Sequence, residues 1–499
     1  MKNLVLASFL LMFISLGFGQ GEGSVFSSTG RGVSTTFVTD YQALGINPAN
    51  LGWSKEFKGK TLVFGFMETG FSTSSKIYNN EVVKDVRSFP LNFGVDGSRN
   101  YNDFKELSTD LQDGLRFDFD SRLFGIAVTT NRFGGFAFSI NERYSMDIGL
   151  SKDFADIVTY GFAAPYFDSL VVENGGNVYT VSNTPTNYDS LQNDTATTIQ
   201  FGKTSNPKTV PELMEGTELK VSWIREFNFG YGRQLIKNEK FGLYGGIGIK
   251  YLTGMAVFDL ESSPTNLSAF LAYSPSFSSM SGAGLFSTSS FKLALPKASG
   301  TGYGVDLGVN IKAFKRIKLG IAVNDIGSIT WRENTYNILT DTALNNFKVG
   351  GLYQNPSASS SGSAAFDSIL NSLVNIQSGN FERKVGLATN LRLGASIQFG
   401  KILEIGAEMI APLNTNPGNY KYSLFSAGAD LKLGPIILSG GVVVQNEEIL
   451  RVPVGFVIAP GKGRYEMGVS TRDILSIINF NTVDKPMISA AFGFLRFRI

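Results

Sequence analysis

Residues 391–410 read LRLGASIQFGKILEIGAEMI, and they contain two segments in which apolar and polar side chains alternate. In 391–399 the odd positions are apolar and the even positions are polar or glycine, and 403–409 repeats the pattern after the turn Gly400-Lys401. Successive side chains of a strand point to opposite faces. The stretch therefore predicts two antiparallel strands, each with an apolar and a polar face, joined by a tight turn.

The composition narrows the class of protein. The 499 residues include 56 Gly, 41 Phe and 18 Tyr, whereas Asp, Glu, Lys and Arg make up only 17%, below the roughly one quarter that is typical of soluble domains. The mean hydropathy of +0.04 is high for a disordered chain and low for a helical membrane protein. Together with the alternation it favours a transmembrane β-barrel. The formal net charge of +2 gives no reason to expect nucleic acid as a partner.

Similar segments recur along the chain, and about fourteen strands can be assigned. An even number is typical of single-chain outer-membrane barrels. The predicted strands are 61–73, 117–130, 133–145, 219–234, 241–258, 289–312, 317–332, 384–399, 402–411, 422–433, 436–445, 451–460, 464–472 and 487–498.

The connections between these strands alternate in length. Short turns of two to four residues alternate with long loops, except for the brief connection 446–448. Short periplasmic turns and long external loops are typical of outer-membrane barrels. The sequence therefore predicts an all-β fold, a transmembrane antiparallel β-barrel of about 14 strands with both termini in the periplasm. The long external loops are expected at approximately 74–116, 146–218, 259–288 and 333–383.

A soluble β-sandwich or a β-propeller would also show alternating strands. The loops of a sandwich would not alternate so regularly between short and long. A propeller would carry an internal repeat, and none is visible in the sequence. The barrel is therefore the favoured fold.

The N-terminal residues predict export. Lys2 precedes an apolar run, and Gly17-Phe18-Gly19 supplies the small-x-small pattern of a signal-peptide cleavage site. The apolar run is too short to span a bilayer. The predicted location is the outer membrane, where the chain contacts outer-membrane lipid. We expect a cleaved signal peptide at 1–19, a periplasmic or hatch segment at 20–60, and the barrel with its loops at 61–499.

Residues 45–53, GINPANLGW, lie between the signal peptide and the first predicted strand, and they are too polar for a strand. A barrel of about fourteen strands has a lumen that its own wall side chains cannot fill. A plug formed by this N-terminal segment is therefore physically reasonable. Asn47 is suited to cap a helix whose first turn holds Pro48, where no backbone donor is needed.

The wider N-terminal stretch resembles a known family. Its G…D…A…NPA pattern, given below by residue, resembles the hatch of the long-chain fatty-acid transporter (FadL-like) family of outer-membrane barrels. A second resemblance, over Leu123 to Tyr160, is to an uncharacterised group in that superfamily, which also includes PorV-like barrels of the type IX secretion system. There two strands run into the short helical segment LSKDFADIVTYG. The plug pattern consists of Gly32, Asp40, Ala43, Asn47, Pro48 and Ala49.

The resemblance implies a 14-stranded barrel with a hatch. In the transporter family, apolar external loops catch a hydrophobic ligand, which passes to the lumen and leaves as the hatch rearranges or through the wall. Two loops are candidates here for contact with such a ligand, although their apolar side chains could instead pack on each other and roof the barrel. The candidates are Phe270, Leu271, Phe277, Met280 and Phe286 in one loop, and Phe366, Leu370 and Leu373, at helical spacing, in the other.

Several charged residues fall on the polar faces of the predicted strands. Mixed charges in a confined lumen should pair with one another or with the plug, although they could instead line a path for a polar ligand. We favour the pairing. The predicted lumen-facing charges are Arg143, Lys250, Arg392, Glu404, Glu408, Asp430, Lys432 and Glu466.

The residue types present argue against an enzyme. Without histidine or cysteine the chain can build neither a Ser-His triad nor an imidazole or thiolate metal site. Glu404 and Glu408 would lie ~13 Å apart along one strand, too far for a two-carboxylate site. No nucleotide-binding glycine motif follows a strand into a helix. We therefore expect no catalysis, no cofactor and no metal.

Three functions remain open from the sequence. The first is transport of hydrophobic small molecules across the outer membrane. The second is a PorV-like accessory barrel that binds exported proteins together with secretion-machinery proteins. The third is a structural barrel without cargo. The hatch pattern and the apolar loops favour the first.

Overall fold

The wall of the molecule is a closed ring of antiparallel strands. The computed structural model describes residues 25–56, 61–79, 101–130, 132–238, 240–278, 297–314, 316–338, 348–353, 376–378, 381–445 and 449–499, so the predicted signal peptide lies outside the described residues. Fourteen strands in these ranges pair each with the next, and the last pairs with the first. The wall strands are β1 Thr61–Ser75, β2 Leu115–Thr130, β3 Gly134–Gly149, β4 Glu218–Lys237, β5 Phe241–Ser263, β6 Gly300–Ala313, β7 Ile317–Trp331, β8 Asn390–Phe399, β9 Leu403–Pro412, β10 Leu424–Leu433, β11 Ile436–Gln445, β12 Val454–Ile458, β13 Tyr465–Thr471 and β14 Met487–Arg498.

The structure confirms the all-β fold and the fourteen-strand barrel. The sixth strand is described from Gly300, and the predicted start at 289 lies outside the described residues. The eighth strand begins at Asn390 and not at 384. The reason is that Arg383–Gly386 forms a separate strand against the outer end of β7, after which Leu387 turns inward and is buried. The predicted twelfth strand was too long, since β12 covers only five residues.

The two faces of the wall differ in polarity. On β8 the even positions are buried or half-buried and include Arg392 and Ser396, whereas the odd positions Leu393, Ile397 and Phe399 are exposed. Exposed apolar side chains recur in the same way around the outer surface, as expected for a wall that faces lipid. No helix within the described ranges is both long enough and apolar enough to cross a membrane.

Short turns join the strands in pairs at one end of the barrel. The β8–β9 turn contains Gly400 at φ +63° and the β10–β11 turn contains Gly434 at φ +65°. Both angles lie in the left-handed region, which glycine adopts without steric strain. The two glycines therefore allow the wall to reverse in very short connections, as the sequence predicts.

The wall rises above the membrane on one side. Strand β5 continues into the hairpin strand Asn266–Tyr273, which pairs with Thr335–Ile338, and this in turn pairs with Ile376–Ser378. The short strand Ile449–Arg451 pairs with the outer end of β11. The helices Pro275–Ser278 and Ile474–Ile478 and the 3₁₀ helix Lys76–Asn79 also follow or precede wall strands at this end. The helix Pro460–Gly463 lies at the other end, in the short turn between β12 and β13.

A folded unit lies outside the barrel, and we call it the cap (residues 150–217 with 348–353). Its four-stranded sheet has the order Gly351–Tyr353, Thr197–Lys203, Ser169–Asn174, Asn177–Ser182. The cap helices, together with Tyr101–Gln112, share a core with the sheet that includes Phe154, Phe167 and Leu170. Long stretches of the predicted external loops are thus ordered. The helical elements of the cap are Lys152–Tyr160, Gly161–Ala163, Pro185–Asn193 and Val210–Leu213.

The orientation of the barrel can be tested with introduced cysteines, because the chain contains none. Thr186 lies in the cap and Lys401 in the turn between β8 and β9, and both are exposed. In intact cells, a maleimide that cannot cross the outer membrane should label Thr186→Cys and leave Lys401→Cys unlabelled. Permeabilised cells, in which both variants should react, are the control. Labelling of Lys401→Cys in intact cells would show that the orientation is reversed.

Candidate functional site

Residues 25–56, which we call the plug, lie inside the ring. They form the helix Phe26–Thr29 and the 3₁₀ helices Asp40–Ala43 and Pro48–Glu56, joined by turns. From position 25 to position 53 no plug residue is exposed, and none belongs to a strand of the wall. The plug therefore occupies the lumen as a separate layer that the wall surrounds.

The asparagines of the GINPANLGW segment connect the plug to the wall. Oδ1 of Asn47 accepts a hydrogen bond from the Ala49 N–H at 3.1 Å, which caps a helix that begins at Pro48. The side-chain amides of Asn47 and Asn310 of β6 meet at 2.7 Å, and Asn310 also meets Asn50 at 2.5 Å. The segment is too polar for a strand because its amides serve buried partners inside the barrel.

The earlier residues of the plug pattern also have defined positions. Gly32 has φ +71°, and a Cβ there would lie 2.7 Å from Val443 of β11. Asp40 receives a hydrogen bond from Arg496 of β14 at 2.7 Å, and Arg498 lies 3.4 Å away. The buried Ala43 accepts a backbone bond from Asn47 at 2.9 Å through its carbonyl. The pattern thus combines tight packing, an ion pair and the start of the Pro48 helix.

Wall glycines allow the plug to approach the backbone of the strands. A Cβ on Gly246 of β5 would lie 2.2 Å from Pro48, and one on Gly308 of β6 would lie 2.1 Å from Oδ1 of Asn47. Such distances are far below van der Waals contact, so any side chain there would displace the plug. We call the wall glycines that contact the plug the glycine belt. The sequence analysis did not identify it, although these glycines occupy the polar faces of the strands. Thirteen wall glycines on twelve strands would meet plug atoms at less than 3.0 Å, namely Gly65, Gly125, Gly135, Gly230, Gly232, Gly246, Gly308, Gly394, Gly406, Gly428, Gly441, Gly468 and Gly493.

Charged side chains of β8–β10 hold the first half of the plug. Glu408 accepts hydrogen bonds from the backbone N–H groups of Ser34 and Thr35 and pairs with Arg392 at 3.2 Å. Asp430 pairs with Arg31 of the plug at 2.8 Å. These contacts have the pairing that the sequence predicts for lumenal charges.

The remaining predicted lumenal charges also lie on the inner side of the wall. Glu404 pairs with Lys318 of β7 at 2.9 Å, and Glu466 pairs with Arg496. Lys432 lies half-buried at the end of β10 that leads into the short β10–β11 turn. Parity along each strand was enough to place these residues, whereas their partners on other strands required the register of the whole ring.

A second ionic cluster lies beyond the plug, on β3 to β7. Lys250 is fully buried and pairs with Asp306 at 3.0 Å and with Asp325. Arg143 bridges Asp325 at 3.0 Å and Glu226 at 2.6 Å. Asp325 has φ +60°, at an irregularity in the β6–β7 pairing, so the sequence pattern alone did not indicate that it faces inward.

A small polar cavity separates the plug from the external loops. Its volume is about 40 Å³, and its lining includes Asp120, Arg143 and Arg392 on the wall and Asn419 in the β9–β10 loop. This space holds a few water molecules at most. Within the described part of the chain, no group of acidic, histidine or cysteine side chains could hold a metal ion.

The plug packs a buried apolar cluster against β1–β3, next to polar contacts with the same strands. Plug residues Val38, Tyr41 and Leu44 share a buried apolar cluster with Val63 of β1 and Ala127 of β2. Tyr41 also donates a hydrogen bond to Glu68 of β1 at 2.6 Å, and the contacts towards β6–β10 include ion pairs and amide bonds. Apolar packing, hydrogen bonds and ion pairs therefore hold the plug together.

The candidate ligand-contacting residues Phe270 and Leu271 are buried, which corrects the expectation that they are exposed in a loop. They belong to the hairpin strand Asn266–Tyr273. Phe270 is fully buried beside Trp331, and the Arg383 guanidinium lies 4.9 Å from its ring centre. These two residues therefore pack as part of a roof, which was the alternative interpretation of the sequence.

The side chains of the other candidate loop residues lie outside the described part of the chain. Met280, Phe286, Phe366, Leu370 and Leu373 lie outside the described residues. The backbone of Phe277 lies in the short helix Pro275–Ser278, but its side chain is outside the described part. A ligand contact at these positions stays a prediction.

Comparison with known proteins gives one family match. A family model described as "Family of unknown function (DUF5723)" matches residues 169–462. No curated protein sequence matches the chain significantly.

Several solved barrels are similar at low identity. The Pseudomonas putida toluene transporter TodX has 10% identity and a TM-score of 0.39, with 96% of this chain and 98% of that chain covered. The Ralstonia pickettii toluene transporter TbuX has 13% identity and a TM-score of 0.40, with 97% of this chain and 98% of that chain covered. A Pseudomonas aeruginosa FadL homologue has 12% identity and a TM-score of 0.38, with 97% of this chain and 99% of that chain covered.

The glycine belt gives a test with a matched control in one strand. Gly246→Ala should displace the plug, since the new methyl group would overlap Pro48, and overpacking of this kind costs about 1–3 kcal/mol. The adjacent Gly245→Ala would meet only the end of the exposed Leu235 side chain, which can move aside. In planar bilayers, Gly246→Ala should raise ion conductance while Gly245→Ala should not. Equal conductance of both variants would contradict a plug seated on this wall.

The roof gives a second test. Phe270→Ala should destabilise the hairpin by about 3–5 kcal/mol, the loss typical of a buried aromatic side chain. The barrel itself should keep its heat-modifiable mobility on detergent gels. Surface protease should cut the external region faster in this variant than in the control Leu413→Ala, which truncates a side chain that is 53% exposed. Unchanged proteolysis would show that Phe270 does not hold the roof.

Proposed function

Because the chain belongs to the DUF5723 family, whose description names no function, we propose its role from the lumen: an outer-membrane transporter for small hydrophobic molecules, gated by the plug. The observation that carries the proposal is that the plug fills the lumen without joining the wall sheet. Removal of such a plug leaves every strand pairing of the wall intact. A gate needs this property, whereas a purely structural barrel does not.

The contacts of the plug fit a movable element. Its polar interactions with the wall are side-chain bonds and ion pairs, such as Arg31 with Asp430 and Asp40 with Arg496. Pairs of this kind can exchange for water when a segment shifts, in contrast to the backbone ladder of a barrel. The barrel can therefore stay closed to lipid while its lumen opens.

The apolar cluster between the plug and β1–β3 supports a hydrophobic cargo. If the plug shifts away from β1–β3, the passage it uncovers is lined by Val63, Ala127 and wall glycines, together with the paired Glu68 and Arg122. Burial of apolar surface there stabilises a hydrophobic molecule by about 25 cal/mol per Å². The cargo class also follows what the plug pattern implies by its resemblance to the fatty-acid transporters.

The paired charges argue against a path through the centre of the lumen. Lys250, Arg143 and Asp325 form a buried network beside the polar cavity. An apolar molecule there would remove water from charged groups without replacing their hydrogen bonds. The proposed route therefore runs along the β1–β3 side of the plug.

The PorV-like accessory role is the second candidate. The observation that favours it is the cap, which has its own hydrophobic core and presents an ordered surface outside the membrane. Such a surface suits a protein partner better than a small molecule. The two roles differ in whether movement of the plug matters for activity.

A cross-link between plug and wall tests the transporter role. Asn47→Cys with Asn310→Cys would place two thiols at neighbouring positions, since the native amides meet at 2.7 Å. Bridging the pair with a short bifunctional thiol reagent should abolish uptake of a lipophilic fluorescent probe by cells. The bridge consists of thioether bonds, which a reducing agent does not cleave. The control is therefore each single-cysteine variant treated with the same reagent, and both should keep their uptake of the probe.

The outcome separates the candidates. The native chain has no cysteine, so the reagent has no other target on it. Unchanged uptake in the bridged double variant would contradict gating by the plug. If cells that carry the native protein take up no more probe than cells that lack it, the transporter role as a whole is contradicted.

A further inference from the structure

The cap sheet ends in an uncovered strand. Asn177–Ser182 pairs with Ser169–Asn174 on one side, and no described strand pairs with its other side. Its side chains are largely exposed, with Val178 at 64% and Tyr179 at 44%. An open edge with apolar side chains invites another strand.

The backbone groups at this edge can be assigned. Gly175 and Gly176 have φ +57° and +83°, the conformation of a tight two-residue hairpin turn. The pair Asn174 and Asn177 that closes such a turn exchanges backbone hydrogen bonds, and hydrogen-bonded pairs alternate from there. The N–H and C=O groups of Val178 and Thr180 therefore point away from the neighbouring strand, towards the open edge.

The devices that protect natural sheet edges are missing from this strand. The sequence NVYTVS contains no proline and no lysine, and its pairing with Ser169–Asn174 has no bulge. On the face that carries the cap core, Tyr179 lies opposite the fully buried Val172. An added strand would cover Tyr179 and extend that core.

The charge of the cap selects the partner. Residues 150–217 and 348–353 contain eight Asp and Glu against four Lys and no Arg, a formal charge of −4. Two of the lysines are committed to pairs, Lys208 with Asp153 and Lys152 with Asp156. Hydrogen bonds from Ser169 and Ser205 lower the pKa of Asp168, so this exposed carboxyl stays ionised. Basic partners are favoured near such a surface.

We propose that the strand Asn177–Ser182 is a docking edge for another protein, which adds an extended segment of alternating basic and apolar residues to the cap sheet. Main-chain hydrogen bonds to Val178 and Thr180 supply the affinity, as in other cases of strand addition. The partner's apolar side chains lie beside Tyr179. Its basic side chains face the acidic cap, with Glu173 as the neighbouring carboxylate on the other face of the sheet.

The test uses the full-length protein in nanodiscs of zwitterionic lipid and a fluorescent peptide (Lys-Val)₄ as the probe. Fluorescence anisotropy should show binding of (Lys-Val)₄ and no comparable binding of (Lys-Pro)₄, which has the same charge but cannot pair as a strand. Thr180→Pro removes one outward N–H and should weaken binding about tenfold. Thr180→Val keeps that N–H and should bind like the native protein.

A second arm does not depend on the proline variant. Glu173→Lys should weaken binding of (Lys-Val)₄ and strengthen binding of (Glu-Val)₄, while Glu173→Gln should show a smaller change in the same direction. Equal binding of (Lys-Pro)₄ and (Lys-Val)₄ would overturn the proposal, since the attraction would then be charge alone. Failure of (Lys-Val)₄ to bind the native protein would also overturn it, and would leave the transporter role untouched.

Discussion

The constraint on which the structure depends is that every backbone N–H and C=O within a membrane must find a partner inside the protein. The wall meets it by closing, with β14 paired to β1 along ten positions. Closure by fourteen strands leaves a lumen too wide for wall side chains to fill. That space must hold water or a separate segment of chain, and here residues 25–56 occupy it.

The plug then creates the same problem on a smaller scale. Its backbone forms only short helices and turns, so many polar groups need partners from the wall. Glu408 accepts from two backbone N–H groups, Asn324 donates to the carbonyl of Ile46 at 2.9 Å, and Asn310 bonds two plug asparagines. Polar residues on the inner face of the wall are therefore explained by the needs of the plug. A polar lumenal face therefore does not by itself indicate a polar cargo.

Much of the wall could be predicted from the sequence, because a period of two is a local signal that survives without knowledge of the partner strand. The residues of β8 and β9 were assigned to the correct faces for this reason. The cap could not be predicted in the same way, since its sheet joins Gly351–Tyr353 to strands about 150 positions earlier in the chain. Phe270 was misjudged because an apolar residue in a serine-rich stretch looks like an exposed loop until its neighbours Trp331 and Arg383 are known. The glycine belt was visible as composition, but its meaning required the path of the plug.

The glycine belt also has a consequence for how the sequence can change over time. Where Gly246 touches Pro48 and Gly308 touches Asn47, neither side can gain volume alone. Substitutions at these positions must therefore arise in compensating pairs, one in the first tenth of the chain and one in the barrel far from it in sequence. In diverging relatives, substitutions in the plug and on the inner face of the wall should therefore be correlated, while the lipid-facing side of the same strands varies independently.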